Sequence, residues 1–416
     1  MTRPLVLLGS LVAGFLGGLL LRAFDSPALA AAADYIVLVG EIWLRALQMT
    51  SLPLLIALLI TGIAGAGDVA ASGRIAGRTL AWIAWLVVGA GLLGTAVILG
   101  FLALWPVSDA ASAALVAGLR AIGDDSVPAA QLPLRDWLIN VIPTNPFAAM
   151  AQGSILSMVI FVLLFALAIT RMPPERRAPL LAFFQSVNQA MMVLVGWILN
   201  LAPMGAFTLA LGVGLHGGAG AAGAIVQYLL LECAAGGAII LAVYPVAALF
   251  GRISPLRFAR AVAAPQVVAA STQSSLATLP TMIAAVEGPL AVPARIAGVT
   301  LPITVSVFKV TSATMNLAVV VFTAHVLGLP VSAGALFAGL VVACLVSFGV
   351  AGLPGASSFF ASIVPVCLAM GVPTSLLAIL VAVEVIPDLF RTVGNVTADV
   401  ALTRIVASSE AEHTVE

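Results

Sequence analysis

Charged side chains are scarce in this chain of 416 residues, where 17 basic and 17 acidic residues make up only 8% of the sequence. In soluble domains about a quarter of the residues are charged, so the composition excludes an ordinary soluble protein. Hydrophobic residues reach 62%, and the mean hydropathy is +1.19. The formal net charge is zero and no basic run occurs, so no feature favours a nucleic-acid partner. The sequence therefore predicts a polytopic membrane protein whose surroundings are the lipid bilayer.

Cysteine and histidine are equally rare, with three of each. Cys233, Cys344 and Cys367 stand in apolar stretches without the spacing of metal ligands, so they are predicted to be core residues. An intramembrane serine hydrolase that uses Ser274 or Ser275 is a competing hypothesis, but the chain has no G-x-S-x-G motif and no suitably placed histidine base. No metal or organic cofactor is predicted.

Lysine occurs once, at position 309, against sixteen arginines. The arginines of the predicted loops divide unevenly between the two sides of the membrane. One side holds Arg3, Arg74, Arg78, Arg171, Arg176, Arg177, Arg252, Arg257 and Arg260, and the other holds Arg22, Arg120 and Arg135. Because positive residues concentrate in cytoplasmic loops, we expect both termini to be cytoplasmic and the protein to reside in the cell's inner (plasma) membrane.

Long apolar runs supply the candidate membrane spans. They cover residues 5–21, 35–63, 80–104, 155–169, 180–213, 222–250 and 303–327. The first run precedes Ala28-Leu29-Ala30, which resembles a signal-peptidase site, but it exceeds the usual signal core of about 7 to 15 residues. We therefore favour a retained first helix, and we interpret residues 106–136, rich in proline and aspartate, as an extramembrane loop.

Two later apolar segments are interrupted at their centres. Residues 262–286 are broken by a Ser/Thr cluster at 270–280, and residues 341–370 are broken by small residues, glycine and proline at 347–358. Irregular backbone at membrane depth persists only where it lines a cavity, so such breaks indicate a transport site. We predict two re-entrant hairpins, which give the final half of the chain a repeated order of hairpin and helix.

A polar stripe follows the second of these segments. Asp388, Arg391, Asn395 and Asp399 recur at helical spacing and would cover about 16 Å of one helix face if the helix continues past Pro387. Each charge at mid-membrane depth costs about 2.5 to 3.5 kcal/mol, so the stripe must face protein, water or solute. Either Asp388 and Arg391 form a structural ion pair, or the stripe binds a solute through carboxylate, ammonium and cation subsites.

These segments together resemble the dicarboxylate/amino acid:cation symporters, the glutamate transporter-like family. The resemblance is carried by Trp43-Leu-Arg-Ala-Leu-Gln-Met49 with Pro53, Pro143-Thr-Asn-Pro-Phe147, Ser186-Val-Asn188, Ala202-Pro-Met-Gly205, Ser274-Ser275-Leu-Ala-Thr-Leu-Pro280, Gly352-Leu-Pro-Gly355 and residues 388–399.

The resemblance implies an all-α membrane protein with eight transmembrane helices plus two re-entrant helical hairpins, working as an inverted-repeat elevator transporter in a homotrimer. It divides the chain into scaffold helices 1–2 (1–76), helix 3 of the transport domain (77–105), a loop with scaffold helices 4–5 (106–215), the transport-domain core of helices 6 to 8 with both hairpins (216–408) and a cytoplasmic tail (409–416).

The resemblance also assigns a site for an anionic substrate. Arg391 would hold the side-chain carboxylate, Asp388 the amino group, and Asn395 the main-chain carboxylate. The remaining substrate-binding positions are Thr392, Ser274, Ser275, Ser312, Gly352 and Gly355. Having both Arg391 and Asp388 favours aspartate or glutamate as substrate. A C4-dicarboxylate carrier, an uncoupled or non-transporting paralogue, and a channel or solute-sensing receptor are the alternatives within the membrane class.

The sequence departs from this family at its sodium motif. Where the family has Asn-Met-Asp-Gly-Thr, this chain has Phe308-Lys309-Val310-Thr311-Ser312. Residues 81–89 of helix 3 also lack the hydroxyl groups of a sodium site, yet Asp399 is kept. We hypothesise that Lys309 replaces sodium by pairing with Asp399. Coupling would then use protons bound by Lys309 or Glu384, keep a reduced sodium requirement, or be lost. Two other roles for Lys309 stay open: its ammonium group reaches the membrane interface from a helix end, or it contacts the substrate directly.

Overall fold

A computed structural model describes residues 2–71, 73–120, 142–151, 155–349 and 355–413. Within these ranges the regular elements are helices and no strand occurs. The α-helices are α1 (Thr2–Ala23), α2 (Pro27–Ala71), α3 (Arg74–Leu104), α4 (Asp109–Arg120), α5 (Pro146–Ala151), α6 (Ile155–Thr170), α7 (Pro174–Asn200), α8 (Ala202–Gly212), α9 (Gly220–Gly251), α10 (Pro255–Thr272), α11 (Ser275–Glu287), α12 (Ala294–Val307), α13 (Val310–Val326), α14 (Ala333–Gly349), α15 (Gly355–Met370), α16 (Leu377–Val383) and α17 (Val385–His413). A π-helical turn, Val213–Gly217, follows α8.

Four of the described helical segments are long and apolar enough to cross a membrane: Arg74–Leu104, Pro174–Ile198, Gly220–Gly251 and Ala294–Val326. They differ in their surroundings. Most of the Ala294–Val326 window is buried inside the protein, whereas very little of the Pro174–Ile198 window is buried. The α12–α13 segment is therefore central, and α7 lies at the periphery.

Three predicted boundaries are wrong. Residues 109–120 of the expected loop form helix α4, while 121–136 lie outside the described residues. The run 180–213 is divided at Leu201, because Pro203 fits the first turn of a new helix, where its missing N–H costs no hydrogen bond. The run 303–327 is divided at Phe308 and Lys309, whose backbone φ values of −95° and −125° leave the helical region.

The two interrupted segments form helix pairs around their breaks. α10 and α11 pack against each other and are separated only by Gln273 and Ser274. α14 and α15 also pack together, and the break between them, residues 350–354, lies outside the described part of the chain. Helices thus end at both predicted interruptions.

The apolar interior consists of two clusters that meet along α13. One cluster joins α1, α2, α6 to α8, α14 to α16 and the C-terminal part of α13, including Phe322. The other joins α3, the end of α9, α10 to α12, α17 and the start of α13, including Val310. The polar residues of α13 and of the first turns of α17 lie where the two clusters meet.

Two glycines allow α9 and α17 to approach α13 closely. A Cβ atom on Gly236 would lie 2.9 Å from the Phe390 Cβ and 3.2 Å from the Met315 sulfur. A Cβ atom on Gly394 would overlap the Thr311 methyl group. Because larger residues would push these helices apart, the glycines fix the close spacing around the polar centre.

Helix α17 contains the whole predicted stripe, residues 388–399. Pro387 belongs to its first turn, where a backbone N–H has no intrahelical acceptor, and the Asp388 N–H donates to the Glu384 carbonyl at 2.8 Å. The proline therefore stands at the start of the helix and does not interrupt the stripe.

Candidate functional site

Arg391 stands at the centre of the buried polar cluster. Its Nη2 donates to Glu384 Oε1 at 2.8 Å, and its Nη1 donates to Asn316 Oδ1 at 2.9 Å. Two further carboxyl groups lie close by, Asp388 Oδ1 at 3.9 Å from Nε and Glu232 Oε2 at 4.0 Å from Nη2. One guanidinium thus faces three carboxyl groups, an arrangement that can exchange its counter-ions when a substrate carboxylate enters.

Glu384 is held at its second oxygen by a tyrosine. The Tyr228 hydroxyl donates to Glu384 Oε2 at 2.8 Å, and the Tyr228 ring lies against the Phe322 ring at a centroid distance of 5.4 Å. The ion pair suggested by the sequence, Asp388 with Arg391, is thus a longer contact at 3.9 Å, and Glu384 makes the direct hydrogen bond. Each oxygen of the Glu384 carboxylate has a donor, so this group is well satisfied.

Two side chains beside Arg391 have atoms without a hydrogen-bond partner among the described residues. Both carboxyl oxygens of Glu232 are buried without a hydrogen-bond donor, and Asn316 Nδ2 is buried without an acceptor. The Asn316 oxygen faces Arg391 because a guanidinium only donates, which fixes the orientation of the amide. Unsatisfied buried polar atoms are costly, and at this position they indicate groups held ready for a ligand or a proton.

Asn395 closes the break between α12 and α13. Its Oδ1 accepts from the Thr311 N–H at 3.1 Å and from the Thr311 hydroxyl at 2.9 Å. The Thr311 N–H belongs to the first turn of α13, where no intrahelical acceptor exists, so Asn395 acts as a cap supplied by a neighbouring helix. Only the Nδ2 of Asn395 is left as a donor to a substrate.

The α10–α11 junction is tied to the start of α17. Gln273 has a left-handed φ of 49°, and its Nε2 donates to the Val385 carbonyl at 2.9 Å. The predicted Ser274 is the N-cap of α11, with its hydroxyl accepting from the Ala277 N–H at 3.2 Å, and Ser275 begins that helix. Both serines are half-buried and lie next to the turn of α17 that precedes Asp388.

The second helix pair reaches the cluster through Ser362 of α15, whose hydroxyl donates to Asn316 Oδ1 at 3.3 Å. The predicted Gly355 is the first residue of α15, and Gly352 lies outside the described residues. Ser312 is buried in the first turn of α13, and Thr392 is buried directly after Arg391 in the chain. Most predicted substrate residues therefore surround the meeting point of α13 and α17.

Lys309 and Asp399 lie in a second polar region, at the α12–α13 break. The Lys309 ammonium donates to the Val305 carbonyl at 2.9 Å, where the negative end of the α12 dipole favours a cation. Asp399 is wholly buried, and within the described part of the chain its carboxyl oxygens make no well-formed hydrogen bond, although the Thr304 hydroxyl lies near enough to interact with the carboxyl group. The two charges interact through space, but no contact within 4.0 Å joins them. Lys309 stands near the middle of the Ala294–Val326 span, away from its ends.

Sequence reasoning missed Tyr228, Glu232, Asn316 and Gln273. Glu232 carried a usable signal, because it is a lone carboxyl residue in the apolar run 222–250 and intramembrane carboxyl groups are functional candidates by default. Asn316 stands likewise in an apolar run, whereas nothing in the local sequence distinguishes Tyr228 or Gln273. Their roles depend on which helices meet, which only the tertiary fold decides.

Comparison with known proteins identifies the family independently of the structure. The pattern of the sodium:dicarboxylate symporter family matches residues 4–409. The chain is 28% identical to the proton/sodium-glutamate symport protein of Bacillus subtilis (strain 168), over 92% of this chain and 87% of that protein. It is 26% identical to the proton/glutamate-aspartate symporter of Escherichia coli (strain K12), over 89% and 84%. It is 32% identical to the neutral amino acid transporter B(0) of Oryctolagus cuniculus, over 86% and 71%.

Proposed function

We propose that this chain, which belongs to the sodium:dicarboxylate symporter family, is a secondary active transporter of acidic amino acids, aspartate or glutamate. The proteins of this family named above are transporters and not enzymes, so the hydrolase hypothesis is set aside. The family is an integral membrane one, which agrees with the apolar helices of this chain.

Arg391 carries the proposal. A guanidinium buried among helices must be balanced by negative charge, and its planar fork bonds a carboxylate through two parallel hydrogen bonds. Here the fork is divided between Glu384 and Asn316. A substrate carboxylate of the right reach would take one or both of these positions.

The other substrate groups have matching partners nearby. Asp388 would accept the ammonium group, because its carboxyl lies 3.9 Å from Arg391 and keeps some exposure. Asn395 Nδ2 and the backbone of Ser274 and Ser275 would hold the main-chain carboxylate. Ser312, Thr392, Gly352 and Gly355 complete the proposed contacts, the two glycines as the tip that closes over the substrate.

Lys309 supports a reduced role for sodium. It brings an ammonium group near the buried Asp399, and the position that the family resemblance assigns to a ligand carboxylate is Val310. Hard cations such as sodium bind oxygen ligands, and neither an ammonium group nor a valine side chain supplies one. The mid-span position argues against snorkelling, so Lys309 would act as a fixed counter-charge to Asp399 or touch the substrate. Coupling would then pass to protons.

The architecture implied by the resemblance completes the proposal. The α10–α11 and α14–α15 pairs would be the two re-entrant hairpins among eight transmembrane helices. The transport domain of residues 77–105 and 216–408 would move as an elevator against scaffold segments 1–76 and 106–215, with residues 409–416 as a cytoplasmic tail. Three copies would assemble through the scaffold in the plasma membrane, with both termini in the cytoplasm.

A second candidate substrate class is the neutral amino acids. One relative that is 32% identical carries that name, and the Glu384–Arg391 pair already neutralises the guanidinium within the chain. If this pair stays closed when substrate binds, no anionic side chain is needed. The two candidates differ in whether Arg391 releases Glu384.

Thermal unfolding of the purified protein separates these candidates. A ligand that binds the native state at 100 times its Kd stabilises it by about 2.7 kcal/mol. We expect L-aspartate or L-glutamate to raise the unfolding temperature, with succinate weaker and L-alanine and L-serine inactive, and with little difference between sodium and choline salts. Stabilisation by the neutral amino acids alone would contradict the proposal, and stabilisation only in sodium would contradict the part that concerns coupling.

A further inference from the structure

Glu232 is a buried carboxyl residue that the substrate site described above does not use. It lies on α9 with no exposed surface, and its two oxygens have no hydrogen-bond donor in the described part of the chain. The nearest cation is Arg391, with Nη2 at 4.0 Å from Glu232 Oε2. Burial disfavours the ionised form of such a carboxyl group, and binding a proton removes most of that penalty.

The approach of α9 to the site is built into the packing. Tyr228, Glu232 and Gly236 recur every four residues and so share one face of α9. Tyr228 binds Glu384, and Gly236 lies against Phe390 and Met315. Glu232 is thereby held between two close helix contacts and directed at the Arg391 cluster.

The charges that surround Glu232 explain what a substrate would change. Among the described residues, the charged groups that interact with Glu232 are Arg391 and Glu384, on the side of α17. The titratable neighbours on its own helix are Tyr228 and Cys233, and the neighbour on α13, Asn316, is polar and uncharged. With Asp388, three carboxyl groups share one guanidinium, so full ionisation would leave two net negative charges in a buried site.

We infer that Glu232 binds the proton that is transported together with the substrate. This rests on the proposed function, because it requires an anionic group to engage Arg391. When the substrate carboxylate takes the guanidinium, it adds a negative charge and removes the counter-ion that Glu232 shares with Glu384. A proton from water then neutralises Glu232, and the proton leaves when the substrate departs and Arg391 returns to Glu384.

Substrate and proton therefore bind cooperatively, with a defined sign. If one proton is taken up with each substrate, the Kd for L-aspartate rises by about tenfold per pH unit wherever Glu232 is ionised in the ligand-free protein and protonated in the complex. The slope disappears at lower pH, where the proton is already bound. Because the carboxylates of L-aspartate stay ionised above about pH 5, they do not produce the slope there.

The test is titration calorimetry with L-aspartate over the range in which buried carboxyl groups titrate, about pH 4 to 9. We expect Glu232→Gln to bind with a nearly pH-independent Kd, and Glu232→Asp to keep the slope. Glu287→Gln is the matched control, since it makes the same chemical change at an exposed carboxyl group at the end of α11, and it should behave as the wild type.

Wild-type protein gives a second measurement that does not depend on a folded variant. Titration in two buffers of different ionisation enthalpy reports the protons taken up with each L-aspartate, and we expect about one in the pH range where Glu232 is ionised in the free protein and protonated in the complex. Uptake of none, or a wild-type slope in Glu232→Gln, overturns the proton role while leaving the substrate assignment intact. Failure of every acidic amino acid to bind overturns both.

Discussion

The Arg391–Glu384 contact leads to a quantitative prediction about stability. Arg391 is buried, and its 2.8 Å hydrogen bond to Glu384 is the shortest of its contacts with the three neighbouring carboxyl groups. Arg391→Gln removes the cation and leaves Glu384, Asp388 and Glu232 facing one another. Glu384→Gln keeps the shape of that side chain and its contact with Tyr228, but removes one negative charge.

The size of each effect follows from the cost of an unpaired buried charge. Removing one partner of a buried ion pair destabilises a protein by about 3 to 5 kcal/mol, because the other charge remains in the interior. We expect Arg391→Gln near that range. Glu384→Gln should cost less, about 1 to 3 kcal/mol, since Arg391 keeps Asn316 and two other carboxyl groups. The double variant should cost less than the sum, by about 2 kcal/mol.

The measurement is a double-mutant cycle of the free energy of unfolding, followed by the tryptophan fluorescence of the detergent-solubilised protein. Arg295→Gln, which removes an exposed arginine on α12, is the matched control and should change stability by less than about 0.5 kcal/mol. If the effects of the two site substitutions add within about 0.5 kcal/mol, the pair is not coupled and the reasoning is refuted. Arg391→Gln should also lose stabilisation by L-aspartate, and Arg391→Lys should lose it too, since one ammonium cannot replace a two-pronged fork.

Two further predictions concern α13 and its neighbours. Lys309→Met leaves Asp399 without its nearby cation, so this variant should be more stable to heat in sodium chloride than in choline chloride, and adding Val310→Asp should enlarge the difference. The control Arg295→Met should respond to the two salts as the wild type does. Equal unfolding curves in both salts for the Lys309 variants would contradict the counter-charge role. Gly236→Ala should destabilise the protein by about 1 to 3 kcal/mol, because its new methyl group meets Phe390 Cβ at 2.9 Å. The control Gly237→Ala meets no atom within 4 Å and should be neutral or stabilising by up to about 1 kcal/mol. Equal unfolding curves for the two variants would show that the close approach is not needed.

The sequence was most informative where polar residues interrupt apolar runs. The stripe from Asp388 to Asp399 occupies one helix as predicted, because helical periodicity is a local property and the cost of lipid-exposed charge directs the stripe inward. The break at Gln273 and Ser274 follows the same logic, since serine caps a helix and glutamine here takes a left-handed φ. Membership of the family was also recoverable, since it depends on the order of short motifs.

The break at Phe308 and Lys309 could not be read from residues 303–327, because no glycine or proline stands there to mark a helix end. Its first-turn N–H at Thr311 is satisfied by Asn395, 84 positions away in the chain, so the break is stabilised by a tertiary contact. Glu232 shows the same limitation. Its carboxyl group was visible in the sequence, but its position beside Arg391 depends on the packing of α9 against α17, which Gly236 permits.

A cation that belongs to the chain cannot be released on either side of a membrane. In the proposed transport cycle Lys309 would neutralise Asp399 at every step, but an ammonium group that stays protonated draws no free energy from an ion gradient. Coupling would then require a group whose charge changes with substrate occupancy, and Glu232 would meet that condition because it lies beside Arg391, the proposed substrate ligand. The two sites therefore predict separable phenotypes: Lys309→Met alters the response to sodium, and Glu232→Gln alters the response to pH. If Lys309→Met instead abolished the pH slope while Glu232→Gln kept it, the exchangeable proton would reside on the lysine.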